Sequence, residues 1–155
     1  MSRRLLISGL VLAAALAVNP VGQRAVAADA ATMEQNKKTV MALYDAALNK
    51  KDFDEASKYL GPRYTQHNPT GKDGPEGLKG FITFLKEKYP QSHSEIKKIF
   101  ADGDYVIVHV HAVREPGTRG LAIFDLFKLE NGKVVEHWDT VQPIPETAQN
   151  NNTMF

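Results

Sequence analysis

LAIFDLFKLENGKVVEHWDT, residues 121–140, reads as two antiparallel strands around Glu130-Asn131-Gly132-Lys133. Two registers are open. A two-residue loop at Asn131-Gly132 pairs Glu130 with Lys133 and sets Asp125 opposite Trp138. A type I turn with Gly132 in the left-handed bulge position pairs Leu129 with Lys133 instead. The second places Leu121, Ile123, Asp125 and Phe127 on one face with Val135, His137, Asp139 and Val141. It is preferred because it gathers the aliphatic side chains, whereas the first sets Phe127 opposite Glu136. Asp125, His137 and Asp139 then share an apolar face. Two carboxylates and an imidazole are costly there unless paired or put to use.

The period of two extends backward. His93 to Ala101, Tyr105 to Val113, Gly120 to Leu129 and Val134 to Ile144 read as strands separated by turn residues. Farther back the period is helical. Thr32 and Gln35 form a capping-box pattern ahead of Val40, Leu43, Tyr44, Ala47 and Leu48. Asp52 caps a shorter helix through Phe53, Ala56 and Leu60, closed by Gly61-Pro62. Arg63 to His67 is a short extended piece. Pro75 opens a third helix with the stripe Leu78, Phe81, Ile82, Leu85 and Tyr89, and Pro90 ends it. Three helices followed by a strand meander predict an α+β domain, with helices on one face of a curved antiparallel sheet. Ala122, Phe124, Leu126 and Trp138 project from the other face, where an uncovered sheet would be polar. A homodimer through that outer face is expected, with cover by a loop or the tail as the alternative.

The N-terminus carries Arg3 and Arg4, an apolar run from Leu5 to Val18, and Ala25-Val26-Ala27. This is the layout of a cleavable signal peptide over residues 1–27, and it predicts a secreted or periplasmic protein. The run is too short and too broken for a membrane anchor. Ser2 to Leu6 faintly resembles a twin-arginine signal. The domain then spans residues 28–148, and the polar tail 149–155 is expected to be loose. Removing residues 1–27 takes the formal charge from +1 to −2, with 16 basic against 18 acidic side chains. Such a balance argues against nucleic acid and against anionic membranes as partners. The chain has no cysteine, so it has neither disulfides nor a thiol nucleophile. It has no Gly-x-Ser-x-Gly elbow and no phosphate-binding glycine loop.

Tyr64-Thr65-Gln66-His67-Asn68-Pro69, Gly77-Leu78 with Phe81, Phe124 to Phe127 and, above all, Asn131 to Asp139 resemble the SnoaL-like polyketide cyclases of the NTF2-like superfamily. The resemblance covers nearly all of the chain after the signal. It implies a cone-shaped NTF2-like (cystatin-like) fold with a pocket at the wide end, dimers or tetramers, and no cofactor or metal. Characterised members close polyketide rings by intramolecular aldol condensation with an aspartate as acid/base. Asp139 matches that aspartate. Asp125 matches the partner position, where a characterised cyclase carries histidine.

An aldol closure needs a proton taken from carbon beside a carbonyl and a proton given to the oxygen under attack. Asp139, Asp125 and His137 are the candidate catalytic residues. His67, His109, Tyr64, Asn68 and Trp138 are the candidate substrate-binding residues around a small hydrophobic carbonyl compound. The bland alternative for the acids is a buried Asp–His pair that only fixes the strands. His109-x-His111 on a strand, with His67 or His137, also has the makings of a metal site, against which the resemblance argues. Two further readings stay open: a non-catalytic carrier or sensor of a small hydrophobic molecule, and a dimeric scaffold whose cone is filled by Phe81, Phe84 or Tyr105.

Overall fold

The computed structural model describes the backbone of residues 20–155, and side chains from Asp29 onward. The larger part of the expected signal peptide lies outside these residues. Helix α1 (Pro20–Tyr44) runs on into a π-helical turn, Asp45–Asn49. It is followed by α2 (Phe53–Ser57), β1 (Leu60–Gln66), α3 (Gly74–Lys88), β2 (His93–Asp102), β3 (Tyr105–Val113), β4 (Leu121–Glu130) and β5 (Lys133–Pro143). The sheet order is β1-β5-β4-β3-β2. The architecture is α+β, with helices packed on one side of a curved five-stranded sheet. Three of the four strand pairings are antiparallel, as expected, while β1 joins β5 in parallel.

The core is the contact between the helices and the inner sheet face. Val40, Leu43 and Tyr44 of α1 and Ile82 of α3 meet Val106, Val108 and Val110 of β3, Phe127 and Leu129 of β4, and Val134 of β5. Each of these buried aliphatic side chains contributes about 1.5–3 kcal/mol. Asp52 caps α2 by accepting from the Glu55 N–H at 3.0 Å. Leu60 and Gly61-Pro62 do not belong to that helix: they start β1, where Leu60 pairs with Val134. Thr32 does not start α1, because the helix is already under way from Pro20.

The turn between β4 and β5 corrects the preferred register. Asn131 and Gly132 both have positive φ (51° and 72°), and Glu130 pairs with Lys133, so the loop is the two-residue kind. The register then shifts between Leu129 and Lys128: Leu129 pairs with Val134, but Lys128 pairs with Glu136. Val135 is the extra residue of a β-bulge, and both Val134 and Val135 are fully buried. Beyond the bulge Phe127 faces His137 and Asp125 faces Asp139. The inner-face grouping expected from sequence therefore holds, although a different turn produces it.

The outer face carries exposed Phe100, Ile107 and Phe124. Phe155 folds back over this face, its ring 5.1 Å from that of His109 and 4.8 Å from that of His111.

Candidate active site

Between α1, α3 and the inner sheet face lies a cavity of about 870 Å³. Phe81 and Phe84 line it without filling it, and each is about 40% exposed. Tyr105 belongs to the outer-face set of β3 and does not line the cavity. Asp125, His137 and Asp139 face the cavity together with Tyr64, Gln66 and Asn68.

The local fold explains each placement. β1 hands over to a tight loop in which the Asn68 carboxamide oxygen accepts from the Thr70 N–H at 2.8 Å and from the Thr70 hydroxyl at 2.7 Å. The Gln66 N–H donates to Asp73 at 2.8 Å, which closes the loop onto the start of α3. Any β-carbon at Gly77 would overlap the Lys72 carbonyl oxygen, so α3 sits directly against this loop. His67 N–H donates to the His137 carbonyl at 2.9 Å, tying the loop to β5.

The polar groups form one connected chain. Tyr44 donates its hydroxyl to Asp125 Oδ2 at 2.9 Å, and His137 Nε2 lies 2.9 Å from Asp125 Oδ1. His137 Nδ1 lies 3.1 Å from Gln66 Oε1, which also accepts from the Asn68 N–H at 2.9 Å. That backbone donor identifies the Gln66 atom as the amide oxygen, so Nδ1 must carry a proton. A further proton lies between Nε2 and Asp125. Both oxygens of Asp125 and both nitrogens of His137 are thus occupied, and both residues are buried. Asp139 differs. Its Oδ1 accepts from Asn68 Nδ2 at 2.5 Å, and Oδ2 has no hydrogen bond among the described residues. Asp139 is half-buried and faces the cavity.

Burial pushes the Tyr44 hydroxyl pKa well above its ordinary value, with the Asp125 carboxylate adding to the effect. Tyr64 is raised as well, by burial first and then by Asp125 and Asp139. Its ring stacks at 6.4 Å on that of His137, and its hydroxyl has no protein partner among the described residues. A tyrosine that resists ionisation is a dependable hydrogen-bond donor toward a ligand oxygen.

Three expected substrate-binding residues lie elsewhere. His109 pairs with Phe124 across β3 and β4 and stacks on it at 4.2 Å, so it belongs to the outer face. It is Val108, one residue earlier, that stands opposite Asp125. Trp138 follows His137 and so points away from the cavity, stacked at 4.3 Å on His67. His67 itself meets Glu136 at 3.2 Å, on the same outer side. His111 Nε2 contacts the Arg119 carbonyl at 2.8 Å, so the His-x-His pair does not converge with His137. The ligand atoms of Asp125, His137 and Asp139 do lie within 4.8 Å of one another. A cation there would have to displace the hydrogen bonds that already join Asp125 to Tyr44 and His137. Sequence reasoning missed Tyr44 and Gln66. Tyr44 counted as one more apolar residue of the α1 stripe, and a hydroxyl on a buried stripe facing a buried acid was the available signal.

Comparison with known proteins agrees with this architecture. An uncharacterized cystatin fold protein from Novosphingobium aromaticivorans superposes with a TM-score of 0.59 at 24% identity, over 68% of this chain and 97% of that one. A provisionally assigned polyketide cyclase from Bacillus cereus gives 0.61 at 18% identity, over 69% and 74%. IdmH from Streptomyces antibioticus, likewise provisionally assigned as a polyketide cyclase, gives 0.58 at 21% identity, over 69% and 91%. At these identities the likeness establishes the fold, which is cystatin-like and NTF2-like. No curated protein matches the chain. Residues 40–137, well over half the chain and including every element from late α1 to mid β5, match the SnoaL-like domain. The chain therefore belongs to the SnoaL-like family.

Proposed function

We propose that this protein is a cofactor-free lyase or isomerase of the cyclase type, acting on a small, largely apolar carbonyl compound with Asp139 as general acid/base. The observation that carries this reading is the unequal state of the two cavity carboxylates. Asp125 is held at both oxygens by Tyr44 and His137, while Asp139 keeps one oxygen free toward the cavity. Only the second can take a proton from a ligand without breaking the framework.

The chemistry follows from that asymmetry. Asp139 Oδ2 removes a proton from the carbon beside the substrate carbonyl, and the C–H electron pair moves into the enolate. Tyr64, unpaired in the cavity wall, donates a hydrogen bond to the enolate oxygen, where the charge develops. In an aldol closure the enolate carbon bonds to a second carbonyl carbon, whose oxygen takes the proton back from Asp139. In an isomerisation the proton returns to a different carbon. Asn68 fixes the rotamer of Asp139 through Oδ1, and Gln66 links Asn68 to His137. Apolar walls such as Leu43 and Leu48 lower the local polarity and strengthen the electrostatic interactions beside them.

The test is deuterium exchange and turnover on a panel of enolisable keto compounds. Asp139→Asn should lower the rate by about 100- to 10,000-fold, the usual span for a general acid/base, with calorimetric affinity nearly intact. Undiminished exchange in Asp139→Asn would sink the catalytic role. Binding without any exchange in the unaltered protein would favour a carrier.

A further inference from the structure

The cavity has a second polar end, remote from Asp139. Arg114 follows β3 directly, and the register that pairs His93 with Val113 places it beside Ser92 at the mouth between β2 and β3. Both residues line the cavity. Arg114 has no carboxylate partner among the described residues, and its guanidinium lies 5.7 Å over the Tyr89 ring. Ser92 Oγ is the buried side-chain polar atom without a hydrogen-bond partner among the described residues. The backbone of Ser92, by contrast, is fixed. Its N–H donates to the Tyr89 carbonyl at 2.9 Å, and its carbonyl accepts from Lys51 Nζ at 2.9 Å. Asn49 pins Ser94, two residues on, at both backbone groups, at 3.1 and 2.8 Å. A rigid mouth thus carries one cation without a carboxylate partner and, in its wall, one buried hydroxyl without a hydrogen bond among the described residues.

We infer that the ligand is an elongated apolar molecule whose far end carries a carboxylate, held by Arg114 and Ser92 while its reactive carbonyl meets Asp139. The inference rests on the cavity reading above and adds the substrate class. The separation suits it. Val108 stands opposite Asp125, and Arg114 lies six residues farther along the chain, or ~20 Å of extended backbone. Charge sets the direction of entry. An anionic group beside Asp125 and Asp139 meets like charge, whereas no acidic side chain lines the cavity at the Arg114 end. Between the two ends the wall is formed by apolar side chains such as Phe84, Leu121 and Ile123. A guanidinium matches the two oxygens of a carboxylate, and a hydroxyl on the neighbouring strand end supplies a further donor.

Calorimetry with decanoate and decanol tests this without knowledge of the natural substrate. The unaltered protein should bind decanoate about tenfold tighter than decanol, the increment of one charge-assisted hydrogen bond. Arg114→Gln should abolish that preference and leave decanol affinity unchanged. Lys72→Gln, which removes the cavity cation on the Asn68 loop, should leave the preference intact. Ser92→Ala should weaken decanoate by a few fold while the melting temperature stays level or rises, because an unpaired buried hydroxyl is lost. Equal affinity for the two probes, a preference that survives Arg114→Gln, or one that vanishes in Lys72→Gln would overturn the inference. Equal affinity would leave the Asp139 chemistry standing. Binding of neither probe would overturn the cavity reading as well.

Discussion

Tyr44→Phe removes one oxygen atom and isolates the structural half of the site. In the folded protein the Tyr44 hydroxyl donates to Asp125 Oδ2 at 2.9 Å, with both side chains about 95% buried. Without it, a carboxylate oxygen remains in an apolar wall with no partner. A hydrogen bond to a charged group contributes about 1.5–3 kcal/mol, and in a domain of this size each kcal/mol moves the melting temperature by about 3–5 °C. Thermal unfolding followed by circular dichroism should therefore show a drop of about 5–15 °C. Tyr64→Phe is the matched control. It makes the same chemical change to a ring equally buried in the same cavity wall, but its hydroxyl has no protein partner among the described residues. Its melting temperature should move by no more than about 2 °C, the usual scale for a substitution that breaks no contact. A double-mutant cycle of Tyr44→Phe with Asp125→Asn should give a coupling of about 1–3 kcal/mol. Equal shifts for the two tyrosines, or no coupling, would refute the claim that Asp125 is committed to the framework.

Alkaline pH should unfold the protein early. Tyr44 and Tyr64 both have folded pKa values raised above the ordinary tyrosine value. Their stabilisation is fully present below about pH 10 and is lost as pH rises, because the unfolded chain ionises first. Each tyrosine should contribute up to about 1.4 kcal/mol per pH unit to the slope, so Tyr44→Phe should lower it by about that amount; an unchanged slope in denaturant titrations would contradict this. Gly77→Ala should drive a methyl into the Lys72 carbonyl and displace the loop that carries Asn68. Turnover and melting temperature should both fall, and unaltered kinetics and stability would show that the loop yields without consequence. The exposed outer-face side chains Phe100, Ile107 and Phe124 should make the protein a dimer by light scattering, and Phe124→Glu should render it monomeric. A monomer at all concentrations before substitution would remove the dimer.

The sequence made the strands legible because their period of two survives burial: the expected spans for β2, β3 and β4 lie within a residue of those observed. The inner-face grouping of Asp125, His137 and Asp139 was legible for the same reason. The turn was not, because Asn-Gly suits a two-residue loop while the aliphatic pattern demanded a shifted register. The bulge at Val135 satisfies both, and two adjacent buried valines were its faint trace. His67 and His109 were misplaced for a common reason, whereas strand parity already put Trp138 on the outer face. Histidine suits either a cavity or an outer face, and only long-range pairing decides between them. The parallel seat of β1 on β5 depends on the whole connection through the helices, which no local pattern encodes.

The central claim is that Asp139 alone among the cavity acids offers a free, reactive oxygen. Labelling with a small apolar epoxide measures this directly, since a free carboxylate oxygen opens the ring and forms a stable ester that peptide mass spectrometry can locate. The ester should appear on Asp139, be blocked by a competing ketone, and be absent from Asp125. Equal labelling of Asp125, or labelling confined to surface acids, would contradict the account.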